Sequence, residues 1–114
     1  MCGIVGIWKL NGQELDRSSL DRFTDSLEHR GPDGRGTFVD IESNIGLGHR
    51  RLSILDVSTA GNQPMTYGNG RYWITFNGEI YNFIELRAQL KQKGHNFLTD
   101  TDTEVVLAAY VQWG

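Results

Sequence analysis

The sequence has one cysteine in 114 residues, so no disulfide can form within the chain. Covalent stapling is excluded, and a reducing cytoplasm is the expected compartment. Long apolar runs are also missing. None approaches the ~18 residues that would span a bilayer, so no membrane partner is expected. The apolar opening Met1–Trp8 lacks a charged region ahead of it and is too short for a secretory signal. Basic charge is scarce: 11 Lys and Arg stand against 14 Asp and Glu, a net charge of −3, which leaves no basic footprint for nucleic acid. No internal repeat or low-complexity run occurs. Glycine clusters at Gly31–Gly36 and Gly46–Gly48 hold neither the Walker A lysine nor a Rossmann strand–helix setting, so no nucleotide cofactor is expected in this segment. His29, His49, His95 and Cys2 do not stand at metal-ligand spacing, so no metal is expected either.

What remains is a globular composition, 39% apolar and 22% charged, sufficient for one domain with a modest core. Residues 3–8 read as a buried opening strand. Ser18 to His29 reads as a helix: Ser18 and Asp21 resemble a capping box, and Leu20, Phe23 and Leu27 recur at helical spacing. Strands are expected at 36–41, 44–49 and 71–76. The long connection 55–70 between the last two is of a kind that is often functional. A helix over 82–93 should end on Gly94, and a final helix should start near Thr101, where Thr101 and Glu104 form a second capping-box pattern. Leu86, Leu90, Val105, Val106 and Ala109 read as core-facing stripes. Strands and helices mix without strict alternation, which predicts an α+β fold.

The only thiol stands at position 2. Removal of Met1, which the small neighbouring side chain permits, would leave Cys2 with a free α-amino group that titrates near neutral pH. One residue would then supply both a nucleophile and the base that activates it. Against this stands the commoner fate of a lone cysteine in an apolar strand, that of an inert small hydrophobe.

Six stretches decide between the two. Met1-Cys2-Gly3-Ile4-Val5-Gly6-Ile7, His29-Arg30-Gly31-Pro32-Asp33, Arg51-Leu52-Ser53-Ile54-Leu55-Asp56, Gln63-Pro64, Asn77-Gly78-Glu79-Ile80-Tyr81-Asn82 and Thr101-Asp102-Thr103-Glu104-Val105 follow one another along essentially the whole chain. In this order they resemble the class II, N-terminal-cysteine glutamine amidotransferase domain of glutamine-hydrolysing asparagine synthetases. The opening Cys-Gly-Ile alone would fit any class II amidotransferase. His-Arg-Gly-Pro-Asp with Asn-Gly-Glu-Ile-Tyr-Asn is narrower.

The resemblance implies an N-terminal-nucleophile (Ntn) hydrolase fold, an αββα sandwich of mostly antiparallel sheets, and glutamine as substrate. It implies that Cys2 is the nucleophile, forming a γ-glutamyl thioester and releasing ammonia. Asn77, through its side-chain amide, and Gly78, through its backbone N–H, match the oxyanion hole. Arg51 matches the group that holds the α-carboxylate, Asp102 and Glu79 those at the amino end, and backbone groups of Leu52, Ser53 and Ile54 the pocket wall. Each has a plainer rival: Asn-Gly is a common turn, Arg51 could be a solvated charge beside Arg50, and Asp102 could serve only the helix N-terminus. His29 is expected to be structural.

By the same resemblance the chain is the N-terminal portion of a glutaminase domain. Its sheets would be incomplete, and its C-terminal synthetase domain, which uses ATP and Mg, would be absent. Such a segment should bind glutamine weakly and turn it over poorly or not at all, and a homodimer is compatible with it. The acceptor stays open between aspartate and another carboxylate, and a catalytically silent domain is the third reading. Retention of Cys2, Arg51, Asn77, Gly78 and Asp102 together weighs against silence.

Overall fold

The computed structural model describes residues 2–52 and 61–114. The first half is built on a three-stranded antiparallel sheet. β1 (Gly3–Trp8) and β2 (Gly34–Asp40) flank a central β3 (Ile45–Arg51), in the order β1-β3-β2. Gly3 lies opposite Arg50 and Gly34 opposite Arg51, so one end of all three strands converges where the arginines sit. β1 is half-buried rather than buried. Its residues alternate, with Ile4 and Trp8 exposed at 47% and 65%, because it is an edge strand covered on one face only.

Helix α1 (Arg17–Asp25) covers that face. Its N-cap lies two residues earlier than the Ser18–Asp21 pattern suggests. Asp16 is the N-cap and accepts the Ser18 N–H at 3.1 Å, and the Ser18 hydroxyl donates to the same carboxylate instead of capping. Hydrogen bonds from Ser19 and Ser18 hold the Asp16 carboxyl below its ordinary pKa. The helix stops at Asp25, short of His29, and a separate 3₁₀ turn spans Glu28–Arg30. Leu20 and Thr24 are fully buried against β3. Glycine at 48 makes this possible, since a Cβ there would collide with the Thr24 hydroxyl.

The second half carries a two-stranded antiparallel ribbon, β4 (Met65–Tyr67) and β5 (Tyr72–Ile74), with α2 (Phe83–Gln92) and α3 (Asp102–Trp113). β4 falls inside the stretch read as a connection. β5 is shorter than the expected 71–76, for a physical reason. The Phe76 N–H and carbonyl are taken up by the Gln63 and His49 side chains instead of a partner strand, and the Thr75 hydroxyl donates to Gly48 O at 3.0 Å. Phe38 of β2 stacks on Trp73 of β5 with ring centroids 3.8 Å apart, which joins the two sheets. Leu90, Val105 and Ala108 form the buried core between α2, α3 and the ribbon, flanked by Tyr67, Phe83, Leu86, Phe97 and Ala109. Truncating Leu90, which has no exposed surface, to alanine should cost ~2–5 kcal/mol. The chain is therefore an α+β domain with antiparallel sheets, and α1 and α3 pack on different sheets.

Both expected helix ends in this half are present. Gly94, at φ +96°, follows the C-cap of α2, and the His95 N–H returns to Leu90 O. Thr101 caps α3, its hydroxyl accepting the Glu104 N–H at 3.4 Å. The capping box is not reciprocal, however. The Glu104 carboxylate, buried, instead accepts from the N–H groups of Leu98 and Thr99 and from the Thr99 hydroxyl, closing the loop before the helix.

Candidate functional site

The antiparallel register of β1 and β3 decides where the thiol goes. Cys2 precedes β1 by one residue and meets the end of β3, where the Leu52 N–H donates to its sulfur at 3.2 Å. The Leu52 carbonyl lies 3.6 Å from the same sulfur, so both backbone groups of one residue bracket the thiol. Arg30 fixes the backbone behind it, donating through Nε to Cys2 O at 3.2 Å. The His-Arg-Gly-Pro-Asp turn thus supports the cysteine through Arg30. His29 itself is exposed and does not line the cleft.

Strand alternation separates the two arginines of β3. Arg50 points toward the α1 side, donates to Gly31 O at 3.0 Å and lies 3.6 Å from Asp25 and 3.7 Å from Glu28. Arg51 points into the cleft, 7% exposed, with its Nη1 donating to Asn62 Oδ1 at 2.9 Å. The guanidinium lies against the backbone of Gly61. A Cβ at that position would collide with Arg51 Nη2.

The opposite wall is the segment that follows β5. Asn77, Gly78 and Glu79 are exposed and run along the opening, and Ile80 ties them to α3 by donating its N–H to Asp102 Oδ2 at 2.9 Å. Asp102 is 6% exposed, so this first-turn acid serves more than the helix terminus. His49 of β3 is buried behind the wall, its Nε2 3.2 Å from Phe76 O. A carbonyl only accepts, so Nε2 carries the proton. Burial pushes the His49 pKa below its ordinary value and nearby Arg51 adds to this, while the hydrogen bond to Phe76 opposes it.

The result is an open cleft of ≈ 280 Å³, at the lower end of small-molecule sites. Of the residues singled out in the sequence, Cys2, Arg51, Leu52, Asn77, Gly78, Glu79 and Asp102 all line it. Ser53 and Ile54 lie outside the described residues. Gly61, Gln63, Phe76, Tyr81, Thr101 and Thr103 also line the cleft and were not anticipated. Gln63 carried a signal, since it stands in one of the six matching stretches, but its residue type announced no chemistry. The cleft thus brings together a thiol, a guanidinium, a carboxylate and an Asn-Gly pair, a nucleophile with groups that can pair with a carboxylate and an ammonium. Among the described residues no three His, Cys, Asp or Glu side chains gather as a metal would require. No described helix is long and apolar enough to cross a membrane.

Comparison with known proteins shows what the chain is similar to. The model of the glutamine amidotransferase domain matches residues 1–114. The chain is 50% identical over 113 residues to a glutamine-hydrolysing asparagine synthetase of Bacillus subtilis, covering 96% of the chain and 17% of that protein. A second asparagine synthetase of the same organism is 40% identical over 116 residues, covering 99% of the chain and 18% of the relative. A protein of Gibberella zeae named as an amidase is 40% identical over 95 residues, covering 83% of the chain and 14% of that protein. The chain therefore spans less than a fifth of the length of these relatives.

Proposed function

The chain belongs to the glutamine amidotransferase domain family, of the type found in glutamine-hydrolysing asparagine synthetases, and on that premise we propose that its cleft hydrolyses the side-chain amide of glutamine through Cys2. The observation that carries this reading is the convergence of Cys2, Arg51, the Asn77-Gly78 pair and Asp102, drawn from four separate segments, on one opening.

In this reading the Arg51 fork pairs with the α-carboxylate of glutamine, and Asp102 with Glu79 holds the α-ammonium. With Met1 removed, the Cys2 α-amine takes the thiol proton. The sulfur attacks the amide carbon, a C–S bond forms, and the carbonyl π electrons move to oxygen. The Asn77 side-chain N–H and the Gly78 backbone N–H face that oxygen, each donor worth ~3–4 kcal/mol in the transition state. The oxyanion collapses, the C–N bond breaks, and the ammonium of Cys2 returns its proton to the leaving nitrogen as ammonia. Water, deprotonated by the same amine, then cleaves the thioester to glutamate and free thiol.

The ammonia would be used elsewhere in a longer protein, for an ATP- and Mg-dependent amide synthesis in a synthetase portion, with aspartate as acceptor. The match to a protein named as an amidase favours a second reading of the acceptor alone, with another carboxylate in its place. In either reading the fold is of the Ntn-hydrolase sandwich type.

The test is labelling of the Met1-processed chain by 6-diazo-5-oxo-norleucine, an electrophilic glutamine mimic, followed by peptide mapping. An adduct on Cys2, suppressed by excess glutamine and lost in Arg51→Ala, is expected. A folded, processed chain whose Cys2 takes no adduct, or takes it regardless of glutamine, counts against the proposal.

A further inference from the structure

Gln63 is 9% exposed at the back of the cleft, and both ends of its amide are committed. Its Oε1 accepts the Phe76 N–H at 2.6 Å, and its Nε2 donates to the Thr103 hydroxyl of α3 at 3.2 Å. The assignment of the two amide atoms follows from the partners, because the backbone N–H can only donate. The other backbone group of Phe76 is held too, its carbonyl taking the His49 Nε2–H at 3.2 Å. Phe76 is the residue immediately before Asn77. On the far side of the Asn77–Glu79 segment, Ile80 donates to Asp102, the neighbour of Thr103 on α3. The exposed segment is therefore anchored at both ends by buried polar side chains, and both anchors reach the first turn of α3.

We propose that Gln63 is a positioning residue for the oxyanion donors, fixing the direction of the Asn77 amide and the Gly78 N–H through the Phe76 backbone. The inference rests on the reading of the cleft as a glutamine site. The physical reason is that donors stabilise a developing oxyanion only if they are aimed before the charge appears. Asn77 and Gly78 are exposed, so little packing holds them in place. The fixed geometry has to come from the residues flanking them. Gln63 supplies it without touching the substrate's reacting atoms, and by bridging to Thr103 it also sets the distance from these donors to Asp102, at the other end of the ligand.

The test compares the kinetics of Cys2 alkylation by 6-diazo-5-oxo-norleucine in the wild-type chain, Gln63→Met, Gln63→Glu and Thr103→Val. Methionine fills the same space without either hydrogen bond. The expected result is a fall of about 10- to 100-fold in kinact for Gln63→Met, with KI changed by less than about threefold. Gln63→Glu keeps an acceptor for the Phe76 N–H, and the Thr103 hydroxyl can rotate to donate to it, so most of kinact should return. Thr103→Val removes only the bridge to α3 and should give a smaller fall in the same direction. Amide hydrogen exchange separates aiming from folding: exchange at Phe76–Gly78 should quicken in Gln63→Met while the Leu90 and Val105 amides stay protected. An unchanged kinact in Gln63→Met, or a loss that Gln63→Glu repeats in full, overturns the inference and leaves the glutamine reading standing. If Gln63→Met does not fold, Thr103→Val decides by the same criterion. Absence of glutamine-protected labelling in the wild-type chain sinks the glutamine reading first, and this inference with it.

Discussion

Asp102 Oδ2 accepts the Ile80 N–H at 2.9 Å, which ties the cleft's exposed wall to the first turn of α3. The same carboxylate lines the cleft, so in the proposed reading it has a binding task beside the structural one. The two can be separated. Asp102→Asn keeps an oxygen for Ile80 and removes only the charge. Thermal stability should stay close to that of the wild type, while the glutamine concentration needed to protect Cys2 from alkylation should rise about 10- to 100-fold, the value of one charge-assisted contact. Asp102→Ala should lose both properties. Full protection by glutamine in Asp102→Asn would remove the ammonium-binding role.

Gly61 has no room for a side chain, because the Arg51 guanidinium and Thr101 lie where a Cβ would go. Arginine is flexible, so Gly61→Ala should fold and push the guanidinium aside. Labelling of Cys2 should slow about tenfold through a weaker KI. The opposite pattern, a loss in kinact with KI intact, would mean that Arg51 does not hold the carboxylate.

His49 gives the domain a pH dependence of known sign. Its pKa is lowered in the folded state, chiefly by burial, so between that value and about 6.5 the unfolded chain binds more protons. Its contribution to stability is present above about pH 6.5 and is lost as pH falls from there toward the folded value. Denaturant midpoints measured from pH 8 to pH 5 should fall more steeply for the wild type than for His49→Gln, which retains a donor for Phe76 O. Parallel curves would show that His49 is not the group responsible.

Glu104 closes the loop ahead of α3 by accepting from Leu98, Thr99 and the Thr99 hydroxyl. Thr99 is 8% exposed, so its N–H has little access to water once the carboxylate is gone. Glu104→Ala should destabilise by about 2–3 kcal/mol, more than the ~1 kcal/mol expected for removing the cap in Thr101→Ala. Urea unfolding of the two variants ranks them, and a reversed order would mean that the loop closure matters less than the cap.

The parts of this molecule that were legible in the sequence are those written in local chemistry. Gly94 ends a helix because a positive φ is needed there, and Thr101 starts one because its hydroxyl reaches the Glu104 N–H. The six stretches hold eleven of the cleft residues, and seven of those were singled out as site residues. What stayed hidden depends on distant partners. Ser18 and Asp21 looked like a cap because nothing in that pattern shows Asp16 competing for the Ser18 hydroxyl. β5 ends early because Gln63 and His49, remote in sequence, take the backbone N–H and carbonyl of Phe76. Gln63 likewise shows its partners only once Phe76 and Thr103 stand on either side of it.

The central claim is that Cys2 accepts the γ-glutamyl group of glutamine in this cleft. It is tested most directly by mixing the Met1-processed chain with isotopically labelled glutamine, quenching in acid within the first turnover, and mapping the peptides by mass. A labelled γ-glutamyl adduct is expected on the Cys2 peptide, absent in Cys2→Ala and removed by hydroxylamine. Ammonia release from glutamine that persists in Cys2→Ala, or a folded and processed chain that carries no adduct at saturating glutamine, would contradict it.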